Sequence, residues 1–211
     1  MNDIAEVISM GEIFIAWINM VVLIISALLF LYFYVKSVSP AALEKKIGEI
    51  SYPKCKRYRQ IAIVFEFITI VNYVVYYFYP LPVPLPLVFP WDYWISIVIA
   101  VAIAVPSSYL MYIGMKDAGE EAITPKKEHS LYGGIYKKVR HPQATGEVFL
   151  WWVAAFILNS PFLAIFSIIW LPVFYIMCVA EEKDLVIRYG EAYLEYKRNT
   201  GFLIPKRNSS K

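Results

Sequence analysis

Long apolar stretches alternate with short charged ones along this chain. Segments 13–35, 93–115 and 162–180 contain no Asp, Glu, Lys or Arg, and segment 61–79 contains only Glu66. A helix needs about 20 apolar residues to cross a bilayer, so each of the four predicts a membrane span. Pro106 and Pro172 fall inside two of them. A fifth apolar run, 148–158, covers only about 16 Å as a helix and must borrow residues 142–147 to span. Asn159-Ser160-Pro161 separates it from the run that follows. That tripeptide is a tight-turn signal, so the last two runs predict a helical hairpin. The expected fold is all-α: a polytopic membrane protein of about five transmembrane helices, the last two forming the hairpin. Its expected organisation is three N-terminal spans with a basic loop over 1–128, then the hairpin and a polar tail over 129–211.

Composition agrees with the pattern. Apolar residues make up 59% of the 211 residues and charged residues 18%, against about 45–50% and 25% in a soluble domain. Disordered, collagen-like and disulfide-scaffold classes are excluded. Two cysteines, Cys55 and Cys178, make neither a disulfide framework nor a structural zinc site. Two histidines far apart predict no metal site. The first twelve residues hold three acids and no Lys or Arg, so no cleaved signal peptide is expected there.

Charge placement adds sidedness. All 20 Lys and Arg residues fall in segments 36–60, 116–147 and 181–211. A five-span arrangement puts all three segments on one side, which the positive-inside rule names as cytoplasmic. The N-terminus is then expected outside and the C-terminus in the cytosol. The same bias accounts for the basic loops without nucleic acid. The outer segment 80–90 alternates proline with apolar residues and is expected at the interface, with Trp91, Tyr93 and Trp94 as anchors.

Chemistry concentrates at the cytoplasmic end of the hairpin. Counting along antiparallel helices from the turn at Asn159 puts Arg140 and His141 within about one turn of the depth of Glu181 and Glu182. Glu147 lies one to two turns deeper, costly unless it is paired or faces a polar cavity. Glu66 shares a helix face with Thr69 and Tyr73 that should point into the bundle. It reads first as a protonated, hydrogen-bonded structural group and second as a site residue. There is no G-x-G-x-x-G, P-loop or H-E-x-x-H pattern. Bland readings stand beside these: Arg140 as one more anchoring cation, Glu181 and Glu182 as a solvated helix end, and His141-Pro142 as a helix start.

Over about its last 75 residues the chain resembles the isoprenylcysteine carboxyl methyltransferase and phospholipid methyltransferase superfamily of integral membrane enzymes. The resemblance rests on an ordered set: His129-Ser130-Leu131, Gly134-Ile135-Tyr136, Arg140-His141-Pro142 through Gly146, Glu181-Glu182 with Leu185, Tyr189-Gly190, Tyr193, Tyr196, and Thr200-Gly201 with Pro205. It implies a methyltransferase that uses S-adenosylmethionine and acts on a lipid or lipophilic small molecule at the cytoplasmic interface. It implies cofactor contacts from His129, Leu131, Tyr132, Tyr136, His141, Pro142, Gln143, Ala144 and Glu181. Arg140, Glu147 and Glu182 are the expected catalytic set. A zwitterionic sulfonium donor needs a carboxylate for its ammonium and donors for its carboxylate, and Glu181 with Arg140 and His141 offers both signs. Tyr132 and Tyr136 are placed to flank the adenine or the sulfonium.

Two positions depart from the superfamily pattern. Ala144 stands where a tyrosine is usual, and Met177 where the prenylcysteine enzymes carry an arginine facing the acceptor carboxylate. Met177 argues against a prenylcysteine carboxylate as acceptor. A sterol-reductase-like enzyme using NADPH and a non-catalytic membrane scaffold are the competing expectations.

Overall fold

A computed structural model describes residues 9–122, 124 and 133–206. His129, Leu131 and Tyr132 of the expected cofactor set lie outside the described residues. The described chain is helical, with α1 (Met10–Ser37), α2 (Pro40–Ile47), α3 (Ser51–Phe78), α4 (Tyr93–Ala118), α5 (Pro142–Ile157), α6 (Pro161–Phe166), α7 (Trp170–Tyr189) and α8 (Glu191–Asn199). The segments Met10–Ser37, Pro40–Phe78, Tyr93–Ala118 and Pro161–Tyr189 are long and apolar enough to cross a membrane. The short helix α5, with 16 residues, reaches about 24 Å.

Two differences from the sequence expectation have plain causes. The basic stretch before residue 61 is helix rather than loop, because α3 begins at Ser51. Lys and Arg are good helix formers, and their long stems lie along the helix while their charges reach the interface. The last apolar run is also not one continuous α-helix. It is broken by a 3-10 turn at Ser167–Ile169, and α7 restarts at Trp170. Pro172 sits in the first turn of α7, where a missing N–H costs least.

The helices pair as α1 with α3 and α4 with α5, and α7 touches α1, α2, α5 and α8. The core lies where α7 meets the two pairs. Trp151 of α5 stacks on Trp170 of α7 at 3.9 Å between ring centroids. The Trp170 indole donates to the Tyr73 hydroxyl at 2.9 Å, and Tyr73 also meets Ser167 at 3.2 Å. Alanines at 16, 62 and 155 let backbones approach, as small residues do in membrane bundles. Thr69 donates to Ser26 at 2.9 Å, and the Asn19 amide donates to the Asn72 carbonyl at 3.1 Å. Large apolar side chains such as Val98, Val101 and Val105 of α4 point outward, the arrangement a lipid surround requires.

The hairpin turn forms as expected. Asn159 adopts a left-handed φ of 51°, which asparagine tolerates better than most residues. Ser160 caps α6, accepting from the Leu163 amide at 3.3 Å. At the same end Trp91 donates to Ser96, and Ser96 donates to the Asn159 side chain at 2.7 Å. Gly146 sets the approach of α5 to α4: a Cβ there would lie 2.3 Å from the Ser107 carbonyl oxygen.

Candidate functional site

The hairpin's open end meets the chain's C-terminal segment. Val139 and Gly201 form a parallel bridge, and the Arg140 amide donates to the Gly201 carbonyl at 2.8 Å. The His141 amide donates to the Phe202 carbonyl at 3.3 Å. Gly201 is required by packing, since a Cβ would fall 1.8 Å from the Ile204 carbonyl oxygen. Gly134 is required twice over: its φ is +58°, and a Cβ would strike the Asp117 carboxylate. That carboxylate accepts from the Ile135 amide at 2.7 Å and holds the turn carrying Tyr136.

Glu182 is the hub of a buried charge cluster. Arg140 Nε lies 2.6 Å from Glu182 Oε1, with the two side chains 7% and 5% exposed. Lys197 Nζ lies 2.6 Å from Glu182 Oε2, and His141 Nε2 lies 3.2 Å from Oε1. Arg140 Nη1 also donates to the carbonyls of Lys197 and Thr200, and its guanidinium lies over the Phe202 ring. Both carboxylate oxygens of Glu182 are thereby engaged. Glu181 differs. Its carboxylate lies 3.4 Å from His141 Nδ1 and keeps 31% exposure.

His141 thus sits between two carboxylates. Burial opposes its charged form, but Cys178, Glu181 and Glu182 outweigh that cost and hold its pKa well above the usual histidine value. A raised folded-state pKa gives stability that is complete below about pH 6.5, the value of an unfolded histidine, and is lost as pH rises through the folded-state value. The melting-temperature difference between the wild type and His141→Gln is expected to be largest below that pH and to shrink on going alkaline. A difference flat from pH 5 to 9 would remove the imidazolium from the account.

A partly open cavity lies beside this cluster. Its wall takes Gln143, Ala144 and Glu147 from α5, Phe174, Met177, Cys178 and Glu181 from α7, and Tyr193 and Tyr196 from α8. Tyr136, Arg140 and His141 complete the hairpin's share, and Tyr34 of α1 and Arg59 of α3 close it from the N-terminal half. The Tyr136 hydroxyl accepts from the Gln143 amide at 3.0 Å, and the Tyr196 hydroxyl donates to the Tyr136 carbonyl at 2.7 Å. Burial pushes the Tyr196 phenol up to about 12, so it stays a neutral donor at working pH. Arg59 lies with its guanidinium 5.6 Å from the centre of the Tyr34 ring.

Of the expected site residues, Tyr136, Arg140, His141, Gln143, Ala144, Glu147 and Glu181 line this one cavity. Pro142 is buried as the first residue of α5, and Glu182 stands behind Arg140 and His141. The sequence reasoning missed Tyr34, Arg59 and Cys178. Arg59 was absorbed into the basic inside segment, and nothing in its spacing ties it to the hairpin.

The arrangement offers the Glu181 carboxylate, the guanidinium groups of Arg59 and Arg140, and tyrosine phenols around a space with apolar side chains in its wall. Residues 93–192 match the family described as phospholipid methyltransferase. The chain is 35% identical over 107 residues to a protein named methanethiol S-methyltransferase from Pseudomonas sp. (strain GM41(2012)), covering 49% of this chain and 40% of that relative. It is 32% identical over 91 residues to methanethiol S-methyltransferase 1 from Bradyrhizobium diazoefficiens, covering 43% of this chain and 30% of the relative. The matches thus span less than half the length of these curated relatives. No solved structure matches.

Proposed function

We propose that this chain, whose residues 93–192 belong to the phospholipid methyltransferase family, is an integral membrane enzyme that transfers a methyl group from S-adenosylmethionine to a lipophilic acceptor at the cytoplasmic interface. The observation that carries the reading is the cavity beside His141. The family segment supplies most of its wall, and Glu181 keeps an accessible carboxylate there. The partition of all 20 basic residues supports five spans, an outer N-terminus and a cytosolic C-terminus. A soluble donor and a membrane-dissolved acceptor have to meet at that boundary.

The cavity residues fit the donor's chemistry. Glu181 is placed for its ammonium group. Arg140 is committed to Glu182 and two carbonyls; Arg59, which also donates to the Ser37 hydroxyl, lines the same wall and is the cation we assign to its carboxylate. Tyr136, Tyr193 and Tyr196 present ring faces and hydroxyls for the adenine and the positive sulfur. His129, Leu131 and Tyr132 remain proposed contacts on the strength of the resemblance. When bound, S-adenosylmethionine supplies a methyl group already activated by its sulfonium. The protein's task is then alignment and exclusion of water, an effect that contributes about 7–11 kcal/mol when geometry is right.

The acceptor side is apolar, with Ala144, Phe174 and Met177 in the wall. Together with the names of the two relatives, this favours a small lipophilic thiol. The purified protein in detergent is expected to bind S-adenosylhomocysteine and to move a labelled methyl group onto methanethiol. NADPH binding without S-adenosylhomocysteine binding would overturn the reading in favour of a reductase. Met177 leaves no clamp for a carboxylate, so a prenylcysteine analogue is expected to be a poor substrate that Met177→Arg improves. Robust wild-type turnover of that analogue would refute the assignment of the Met177 wall.

A further inference from the structure

Glu66 on α3 and Glu147 on α5 are the acidic residues of the bundle's apolar depth, and they meet. Their carboxyl groups lie within hydrogen-bonding reach of each other, and because a carboxylate only accepts, such a bond requires at least one proton on the pair. Neither residue forms an ion pair among the described residues. Glu147 also lines the cavity, on the same helix as Gln143 and Ala144 and one to two turns deeper than His141. A purely structural bridge between α3 and α5 needs no ionisable group, and carboxyls at membrane depth are costly and usually functional.

We infer that the Glu66–Glu147 carboxyl pair takes up the proton released by the acceptor during methyl transfer. This rests on the methyltransferase reading above. A thiol at neutral pH is mostly protonated, while its thiolate is the nucleophile. In the step, the acceptor sulfur forms a bond to the methyl carbon, and the bond from that carbon to the sulfonium breaks, its electrons staying on the departing sulfur. The S–H proton passes to Glu147, and the pair goes from one proton to two. A positive sulfonium and a negative carboxyl pair vanish together, leaving no isolated charge in a poorly solvated space. Glu147 is the proton acceptor at the cavity wall. Glu66 acts through it as a positioning residue, holding the shared proton and orienting the Glu147 carboxyl. After the products leave, the extra proton returns to water.

The test uses Glu147→Gln, Glu66→Gln and two thiols. Methanethiol must lose a proton, whereas 4-nitrothiophenol is already a thiolate at neutral pH. Turnover of methanethiol by Glu147→Gln is expected to fall about 100-fold or more, the scale of a lost general base, while turnover of 4-nitrothiophenol changes little. Glu66→Gln is expected to show a smaller loss with the same selectivity for methanethiol, and it carries the comparison if Glu147→Gln does not fold. S-Adenosylhomocysteine affinity should be unchanged in both. Infrared spectra of the unliganded protein should show the C=O stretch of a protonated carboxyl that either substitution shifts or removes. Equal losses on both thiols, or no such band in the wild type, would overturn the proposal and leave the pair a structural bridge. Failure of the wild type to bind S-adenosylhomocysteine sinks the methyltransferase reading, and this one with it. Retained binding with equal losses on the two thiols sinks this one alone.

Discussion

Arg140→Met is expected to cost about 3–5 kcal/mol of stability, the scale for breaking one side of a buried ion pair. The substitution keeps much of the side-chain volume and removes only the charge and its donors. Glu182 would then face His141 and a half-exposed Lys197, and the carbonyls of Lys197 and Thr200 would lose their guanidinium donor. Thermal unfolding in detergent measures the loss directly. Glu182→Gln is expected to do similar damage from the other side, because it strands Arg140 in a site where its side chain is 7% exposed. A loss under about 1 kcal/mol, typical of surface pairs, would show that the cluster is not holding the open end of the hairpin together.

Donor affinity should fall sharply when either inner partner of the cavity is neutralised. Glu181→Gln and His141→Ala are each expected to weaken S-adenosylhomocysteine binding by about 1.5–3 kcal/mol, the cost of losing one hydrogen bond to a charged group. That is roughly a 10- to 150-fold rise in Kd. The mechanisms differ. Under the proposed function Glu181, which lines the cavity with 31% exposure, is expected to meet the donor itself. His141 is buried and acts by orienting Glu181. Calorimetry on folded variants separates them, since a Glu181→Gln, His141→Ala double variant should lose less than the sum of the single losses. Unchanged affinity in both single variants would remove this wall from the donor site.

The hairpin was legible because its logic is one-dimensional. A turn tripeptide and equal counts along two helices put His141 beside Glu181 and Glu182, and the structure has those contacts at 3.2–3.4 Å. The role of Glu182 was less legible. Its sequence context resembles that of Glu181, yet one residue of helix rotation turns it from the cavity into the Arg140–Lys197 cluster. Arg59 and Tyr34 were invisible for another reason. Nothing local marks them, and only the packing of α3 on α1 and of α1 on α7 brings them to the cavity. Glu66 reads as costly with no identifiable partner in the sequence, because its approach to Glu147 depends on how the α1–α3 and α4–α5 pairs come together. The break before Trp170 was readable in part: Pro172 announced a disturbance but not the 3-10 turn that absorbs it.

The bridge between Val139 and Gly201 also bears on the order of events during synthesis. The hairpin helices can insert and pair as soon as they leave the ribosome, but Arg140 and His141 take backbone partners from Gly201 and Phe202. Arg140 cannot complete its donors before Lys197 and Thr200 exist. The part of the wall carried by the long apolar helices therefore precedes the C-terminal part in time. A nascent chain arrested before residue 197 would be inserted in the bilayer yet unable to close its cavity, so ligand competence arrives late and all at once.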